Sequence, residues 1–348
     1  MNLKFFFLFL LLAFVCVGMV RYATMVSSEP VNQELNEFSQ ITEPLAEGVE
    51  LTETYRLPLS GSAPTINVQH TIPLEDVRRG CSRQDCIPSV DAPEFVPAST
   101  LVDVLDPASL GIVVQGVDRF YPFPMLETRE IVNDFLPDGT PVAITYCPLC
   151  GTGIVFNREL SGEAVEFGVS GMLWQSNLLM YNRAEDLNDR NLWSQVLGQA
   201  VIGDRAGQDL ELIPSDIITY ETWLQENPEG DTLTTGTPRD PYNGDYFGTA
   251  EFFAPDYDAE ASVLEPMTRV HGIVVNGQPK AYVSEDLFHD MTDIIAGERI
   301  FVENSDNQIR FISSNAESGA APSLIPDVEG FWFSWAAAHP DTELWIGE

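Results

Sequence analysis

Short apolar runs separated by Gly, Pro, Asn and Asp make up the chain from residue 63 onward. The runs are four to seven residues long and rich in β-branched and aromatic side chains, which favours strands over helices. The predicted strands are Thr65–Val68, Gly111–Gln115, Val142–Tyr146, Gly153–Asn157, Ala164–Ser170, Asn177–Asn182 and Ala200–Gly203. Helices are predicted only near Tyr220–Asn227 and Phe333–Ala338, and a proline stops each pattern. We therefore predict a β-rich α+β fold with few short helices.

Two pairs of segments resemble each other and occur in the same order. GIVVQGVDRFYPFPML (Gly111–Leu126) aligns without gaps with GIVVNGQPKAYVSEDL (Gly272–Leu287), and each reads as a β-hairpin. ITYETWLQENPEGDTL (Ile218–Leu233) resembles GFWFSWAAAHPDTELW (Gly330–Trp345). We predict an internal duplication, with a first unit at about 111–233 and a second at about 272–345. The first unit is longer and contains the CPLC segment, so any chemistry is expected there.

The N-terminus predicts where the chain is located. Lys4 precedes an unbroken apolar run from Phe5 to Val20, and Arg21 ends it. This pattern is typical of a signal peptide or an N-terminal signal anchor, residues 1–21. We therefore expect an extracytoplasmic protein, periplasmic or secreted, that contacts the membrane only through this segment. Residues 22–62 are predicted to form an acidic polar spacer, and residues 63–348 a single β-rich domain.

The net charge of the chain argues against nucleic acids and anionic lipids as partners. Asp and Glu number 53 against 17 Lys and Arg, which gives a net charge of −36. Such a field repels the phosphate backbone of nucleic acids and anionic lipids. We interpret the acidic surface as a means of staying soluble in a salty medium, where salt screens the mutual repulsion.

Four cysteines follow the N-terminal run, which itself contains Cys16. In an oxidising compartment an even number of cysteines usually pairs. Cys81 and Cys86 enclose a short loop, and we predict a local disulfide between them.

The CPLC segment, Cys147 to Cys150, has three possible interpretations. In a thiol–disulfide couple, Cys147 would attack and Cys150 would resolve the mixed disulfide, with a periplasmic or membrane redox partner. In a soft-metal site, both thiolates would bind Cu(I) or zinc, and Met172, Met180 or Glu130 would complete the coordination. The third interpretation is a structural disulfide in a non-catalytic binding or structural module.

Other motifs predict no reaction. The sequence has no nucleophile elbow, P-loop or dinucleotide-binding glycine pattern. Its histidines are scattered, and His271 is interpreted equally as a structural residue or as a ligand.

A run of motifs is similar to a prokaryotic family known as domain of unknown function 3179. The resemblance covers roughly residues 75–345. It rests on DCIPSVDAPEFV, RFYPFPML with REIVND, TYCPLCGTGIVFNR, FGVSGMLWQSNLLMYNR, LWSQVLGQAVIG and FWFSWAAAHPDT. The family has no established activity, so the resemblance implies a pocket and no reaction. A small molecule or a metal ion would suit a pocket of these residues beside the CPLC pair: Glu130, Asn133, Ser176, Asn177, Tyr181, Arg183, Trp193 and Gln195. The same residues would equally suit a hydrogen-bonded β core.

The chain departs from the family pattern at several positions. Cys81 and Cys86 stand where the pattern has glycines, which favours a local disulfide and argues against an obligatory zinc site of four cysteines. Arg129 stands where the family often has His, and Asn182 where it has Asp. A ligand or base at either position is therefore missing from this chain.

Overall fold

The computed structural model describes residues 48–59, 65–186, 189–238, 257, 262–305, 308–313 and 322–347. The predicted signal segment, residues 1–21, lies outside the described residues, and so does the predicted spacer up to residue 47. No helix among the described residues is long and apolar enough to cross a membrane.

Strands dominate the fold. In chain order they are β1 (Glu50–Tyr55), β2 (Thr65–His70), β3 (Arg78–Arg79), β4 (Phe95–Pro97), β5 (Leu110–Val114), β6 (Arg119–Pro122), β7 (Ile131–Phe135), β8 (Pro141–Cys147), β9 (Thr152–Asn157), β10 (Glu159–Leu160), β11 (Glu163–Ala164), β12 (Phe167–Trp174), β13 (Asn177–Asn182), β14 (Leu192–Ser194), β15 (Gln199–Ile202), β16 (Ser215–Thr219), β17 (Asp231–Leu233), β18 (Arg269–Val275), β19 (Gln278–Val283), β20 (Met291–Ile295), β21 (Glu298–Ser305), β22 (Gln308–Ser313), β23 (Ser323–Ile325), β24 (Val328–Phe331) and β25 (Glu343–Trp345). The α-helices are α1 (Phe123–Leu126), α2 (Tyr220–Glu226) and α3 (Trp332–Ala338). The prediction of a β-rich fold with few short helices is therefore confirmed.

The strands form four larger sheets and one two-stranded sheet, β10-β11. The first sheet has the order β1-β2-β15-β14-β13-β12-β3, and the second β16-β5-β6-β17-β4. The third, which we call the central sheet, has the order β25-β19-β18-β24-β9-β8-β7, and the fourth β20-β21-β22-β23.

The central sheet is buried on both faces along β7, β8 and β9. Ala143 and Cys147 belong to a core shared with the first sheet, whereas Val142, Ile144 and Tyr146 belong to a core shared with the second sheet. Because side chains alternate between the faces of a strand, these strands are apolar along nearly their whole length. The CPLC turn between β8 and β9 thus lies inside the protein.

Residues 50–55, which we assigned to the spacer, instead form strand β1. This strand pairs antiparallel with β2 at the edge of the first sheet. Its sequence, ELTETY, is acid-rich, as the exposed edge of a sheet often is. The same composition is typical of a spacer, which is why the assignment was wrong here.

The two predicted hairpin units have the same strand arrangement. In the first, β16 pairs with β5 of the β5–β6 hairpin, and β17 pairs in parallel with β6. In the second, β24 pairs with β18 of the β18–β19 hairpin, and β25 pairs in parallel with β19. Helix α2 separates β16 from β17, and α3 separates β24 from β25. The matched parallel contacts are Asp231 with Arg119, and Glu343 with Lys280.

Candidate functional site

The CPLC turn brings the two cysteine sulfurs to the same place. Strand β8 ends at Cys147, and the backbone N–H of Cys150 donates to the carbonyl of Cys147 at 3.1 Å. Gly151 has a φ of 61°, and a Cβ on it would lie 2.8 Å from the ring of Phe331. Glycine is the residue that tolerates this conformation and this close approach. As a result the two Sγ atoms lie 3.4 Å apart, and both side chains are buried.

The tip of the β12–β13 hairpin covers the two sulfurs. Its turn residues, Gln175 and Ser176, have φ values of 51° and 61° and are fully buried. A two-residue type I′ hairpin turn requires a positive φ at both central residues. Asn-Gly is the more common sequence at these two positions. The carbonyl oxygen of Ser176 lies 3.2 Å from the Sγ of Cys150 and 3.8 Å from that of Cys147. One carbonyl therefore serves both thiols as a hydrogen-bond acceptor.

A buried amide network holds the turn and the hairpin together. The Oε1 of Gln195 accepts from Asn177 Nδ2 at 2.7 Å and from Thr152 Oγ1 at 2.8 Å. Its Nε2 donates to Thr145 Oγ1 at 3.1 Å. Asn177 Nδ2 also lies 3.6 Å from the Sγ of Cys150. Each polar group of Gln195 is thus used, which is how a buried amide avoids the cost of losing water.

Burial controls the ionisation of the site. Burial raises the pKa of the Cys147 thiol well above its usual value, and the neighbouring Cys150 adds to this effect. Glu130, which precedes β7, is partly buried. Burial raises the pKa of Glu130 well above its usual value, and the charges of Cys147 and Glu127 raise it further. The site therefore favours neutral groups, which means thiols or a disulfide rather than thiolates.

The structure divides the predicted pocket residues into two groups. Ser176, Asn177 and Gln195 contact the cysteines or the network beside them. The charge of Cys147 acts on the pKa of Glu130. The other four predicted residues have their hydrogen-bond and ion-pair partners away from the cysteines: Asn133, Tyr181, Arg183 and Trp193.

Three residues of the second group bind the loop that contains Asp85 and Asp91. Arg183 forms ion pairs with Asp91 at 2.5 Å and Glu166 at 3.2 Å, and Asn133 Nδ2 also donates to Asp91, at 2.8 Å. Tyr181 donates to Asp85 at 2.7 Å. Trp193 donates to the side chain of Asn182 at 3.0 Å. Asn133, Tyr181 and Arg183 thus hold this loop, whereas Trp193 binds within the first sheet.

Residues that the sequence analysis did not single out complete the site. Thr145 and Thr152 bind Gln195, and they lie on the two strands that flank the CPLC turn. Thr145 lies on the same face as Cys147 because side chains alternate along β8, and Thr152 is the cross-strand partner of Cys147. This alternation was the signal that could have identified Thr145.

The predicted disulfide between Cys81 and Cys86 is present, with 6.4 Å between the Cα atoms. The N–H groups of Gly80 and Cys81 donate to the carbonyl of Gly171, at an irregularity in β12. Cys81 and Cys86 are therefore joined to each other. Among the residues that the structure describes, no group of three or more His, Cys, Asp or Glu side chains could hold a metal ion. Met172 and Met180 pack in the same apolar core as the CPLC cysteines.

Comparison with known proteins identifies a family. No curated protein and no solved structure matches the sequence. A family model described as "Protein of unknown function (DUF3179)" matches residues 84–342, which is most of the chain. The matched residues include the CPLC turn, the hairpin that covers it and Gln195. The chain belongs to this DUF3179 family.

Proposed function

We propose that this is an extracytoplasmic thiol–disulfide protein, in which Cys147 and Cys150 interconvert between two thiols and a disulfide. The observation that carries the proposal is the distance of 3.4 Å between the two sulfurs. A disulfide requires about 2.05 Å, so only a small movement within the turn separates the two states. The extracytoplasmic location rests on the apolar run at residues 5–20.

The reaction is an exchange with a small disulfide. The thiolate of Cys147 attacks one sulfur of the substrate disulfide, forms a mixed disulfide and releases the first thiol. The thiolate of Cys150 then attacks the Sγ of Cys147 and releases the second thiol. Cys147 and Cys150 are 2% and 0% exposed, which favours a low-molecular-weight disulfide over a protein as the partner.

Glu130 does not act as the base for Cys147. Burial raises the pKa of both groups, so the carboxyl group of Glu130 is neutral at neutral pH and cannot accept the thiol proton. The protons of Cys147 and Cys150 leave with the two released thiols.

The neutral surroundings favour the redox pair over a metal centre. A dithiolate bound to Cu(I) or zinc would place negative sulfur beside the carbonyl oxygen of Ser176. Thiols can donate to this oxygen, and a disulfide carries no charge. Both redox states therefore fit the site better than thiolates do.

The test begins with native mass spectrometry of the full chain, purified without reductant or chelator. The chain is then equilibrated with mixtures of reduced and oxidised glutathione, and free thiols are trapped by alkylation. The Cys81→Ser/Cys86→Ser variant leaves CPLC as the only pair in the folded domain. We expect this pair to open and close reversibly while the near-UV circular dichroism stays unchanged.

Two outcomes would contradict the proposal. A metal adduct that disappears on substitution of Cys147 would establish a metal site. A disulfide that can be reduced only when the protein unfolds would establish a structural role in a non-catalytic module. A Cys150→Ser variant adds a direct readout, because Cys147 should then retain glutathione as a mixed disulfide.

We also infer that the two hairpin units arose by duplication of one ancestral unit. The shared strand order and the matched helices support this inference. Helices α2 and α3 also end alike, since Asn227 donates to the carbonyl of Trp223 and His339 to that of Trp335, each at 2.8 Å. The redox pair lies in the segment that distinguishes the first unit from the second.

A further inference from the structure

A polar cleft of about 270 Å³ lies where the second, central and fourth sheets meet. Its polar lining includes Asp216, His271, Ser284, Asn304, Asp327 and Glu329. At about 30 Å³ per water molecule, this space equals about nine waters. A ligand the size of a single sugar would fit it. Gly153 at one edge belongs to β9, but the cysteines are not part of the lining.

His271 is oriented by a carboxylate within the cleft. Its Nδ1 lies 2.7 Å from Asp327 Oδ2, which makes Nδ1 the protonated donor and leaves Nε2 for another partner. In the described part of the chain, Nε2 has no hydrogen-bond partner. An imidazole held in this way presents one defined polar atom to a ligand.

Asp216 provides the unpaired negative charge of the cleft. Glu329 is bound to Arg269 at 3.0 Å, and Asp327 is bound to His271. Asp216 accepts a hydrogen bond from Gln115 at 3.3 Å and has no salt bridge with any described residue. Arg310 acts on it electrostatically, while Asp327 acts in the opposite sense. The cleft therefore has a carboxylate available for a cation.

Two further polar groups of the cleft have no hydrogen-bond partner within the described residues. The Oγ of Ser284 is buried and has no hydrogen-bond partner among the residues that the structure describes. The side-chain N–H of Asn304 is used by the carbonyl of Leu287, but its side-chain oxygen has no partner within the described residues. A buried unsatisfied hydroxyl costs about 1–3 kcal/mol, and a hydroxyl-bearing ligand would remove that cost.

We propose that this cleft is a binding site for a small, hydroxyl-rich organic cation of amino-sugar size. Asp216 binds its ammonium group, and His271, Ser284 and Asn304 bind its hydroxyl groups. This site is separate from the cysteine pair and does not depend on the redox proposal.

The test is isothermal titration calorimetry of the full chain with three matched probes at neutral pH. D-glucosamine carries a positive charge, D-glucose is neutral, and D-glucuronate is negative, while their sizes and hydroxyl groups are similar. Salt at about 0.15 M limits the screening length to about 8 Å and suppresses general attraction to the acidic surface. We expect glucosamine to bind at least about tenfold more tightly than glucose, and glucuronate to bind most weakly.

Two variants assign the binding to the cleft. Asp216→Asn should weaken glucosamine binding at least about tenfold and leave glucose binding nearly unchanged, since it removes only the charge. Asp103→Asn removes the same charge from an exposed position outside the cleft and should change neither. Ser284→Ala should weaken both sugars alike, and circular dichroism verifies that each variant is folded.

The proposal is overturned if the folded wild-type protein gives no binding heat with glucosamine. It is also overturned if Asp216→Asn and Asp103→Asn weaken binding equally, because the attraction would then belong to the whole acidic surface.

Discussion

The thiols of Cys147 and Cys150 share one acceptor, the carbonyl oxygen of Ser176, while their sulfurs lie 3.4 Å apart. This oxygen belongs to a hairpin turn whose two central residues both have positive φ. Each such non-glycine residue costs about 1 kcal/mol or more, and the surrounding packing must offset that cost. The hairpin tip thus places one hydrogen-bond acceptor where both neutral thiols can donate to it.

The first prediction concerns the reactivity of the pair. Because burial raises the pKa of Cys147, its thiolate fraction at neutral pH is smaller than that of a free cysteine. We expect iodoacetamide to alkylate the native pair slowly, with a rate that rises at higher pH than in the urea-unfolded chain. Mass spectrometry of quenched peptides measures both rates. Rapid alkylation of native Cys147 at neutral pH would show a thiolate and contradict the ionisation described here.

The second prediction concerns Gln195, which joins the CPLC strands to Asn177. A Gln195→Met variant keeps the volume but leaves Asn177, Thr145 and Thr152 without this partner. We expect the free energy of unfolding to fall by about 2–4 kcal/mol in urea titrations. The control is Gln199→Met, since Gln199 lies on β15 and makes an exposed hydrogen bond to Asp209. A similar small loss in both variants would mean that the network contributes little.

The third prediction concerns His271. Burial lowers its pKa, but the hydrogen bond and charge of Asp327, with the charge of Glu329, outweigh burial and raise it above the usual value, while Arg269 opposes them. In Asp327→Asn the burial effect should prevail, and the pKa should fall below its usual value. NMR titration of the four histidines measures this change. His339, whose pKa burial lowers to about 4, should be unaffected and serves as the internal control.

The same variant has a consequence for stability. A histidine with a raised pKa in the folded state stabilises the protein below its unfolded pKa of about 6.5, and this contribution is lost as pH rises through the folded pKa. The stability difference between wild type and Asp327→Asn should therefore be largest in acid and shrink as pH rises. A difference that grows with pH would contradict the ion pair.

Local patterns in the sequence predicted some elements well. Strand β13 was predicted with its observed bounds, and α2 and α3 within one residue at one end, because turn residues and prolines mark their limits. Strand β1 was missed because an exposed edge strand is as polar as a spacer. The hairpin turn at Gln175 and Ser176 was missed because neither residue is the usual choice for positive φ.

Half of the predicted pocket residues have their hydrogen-bond partners away from the cysteines, for a geometric reason. Asn177 and Tyr181 lie on the same strand and the same face, but four residues of a strand span about 13 Å. Asn177 therefore reaches Cys150, whereas Tyr181 reaches Asp85. Motifs adjacent in sequence indicate a common strand, but the partner strands that decide each environment come from distant parts of the chain.

The last prediction separates the binding role of Asp216 from its effect on stability. Burial raises the pKa of Asp216 to about 6, against an opposing effect of Arg310, so the folded protein binds a proton that the unfolded chain has already lost above about pH 4. Stability should therefore fall as pH rises from about 4 through about 6. Asp216→Asn removes this cost and should raise the free energy of unfolding by about 1–3 kcal/mol at pH 8, with almost no gain at pH 4. Urea titrations at both pH values measure the gain, and Asp103→Asn should give none. A variant that is more stable yet has lost affinity for glucosamine would mean that the carboxylate is retained for binding, at the expense of stability.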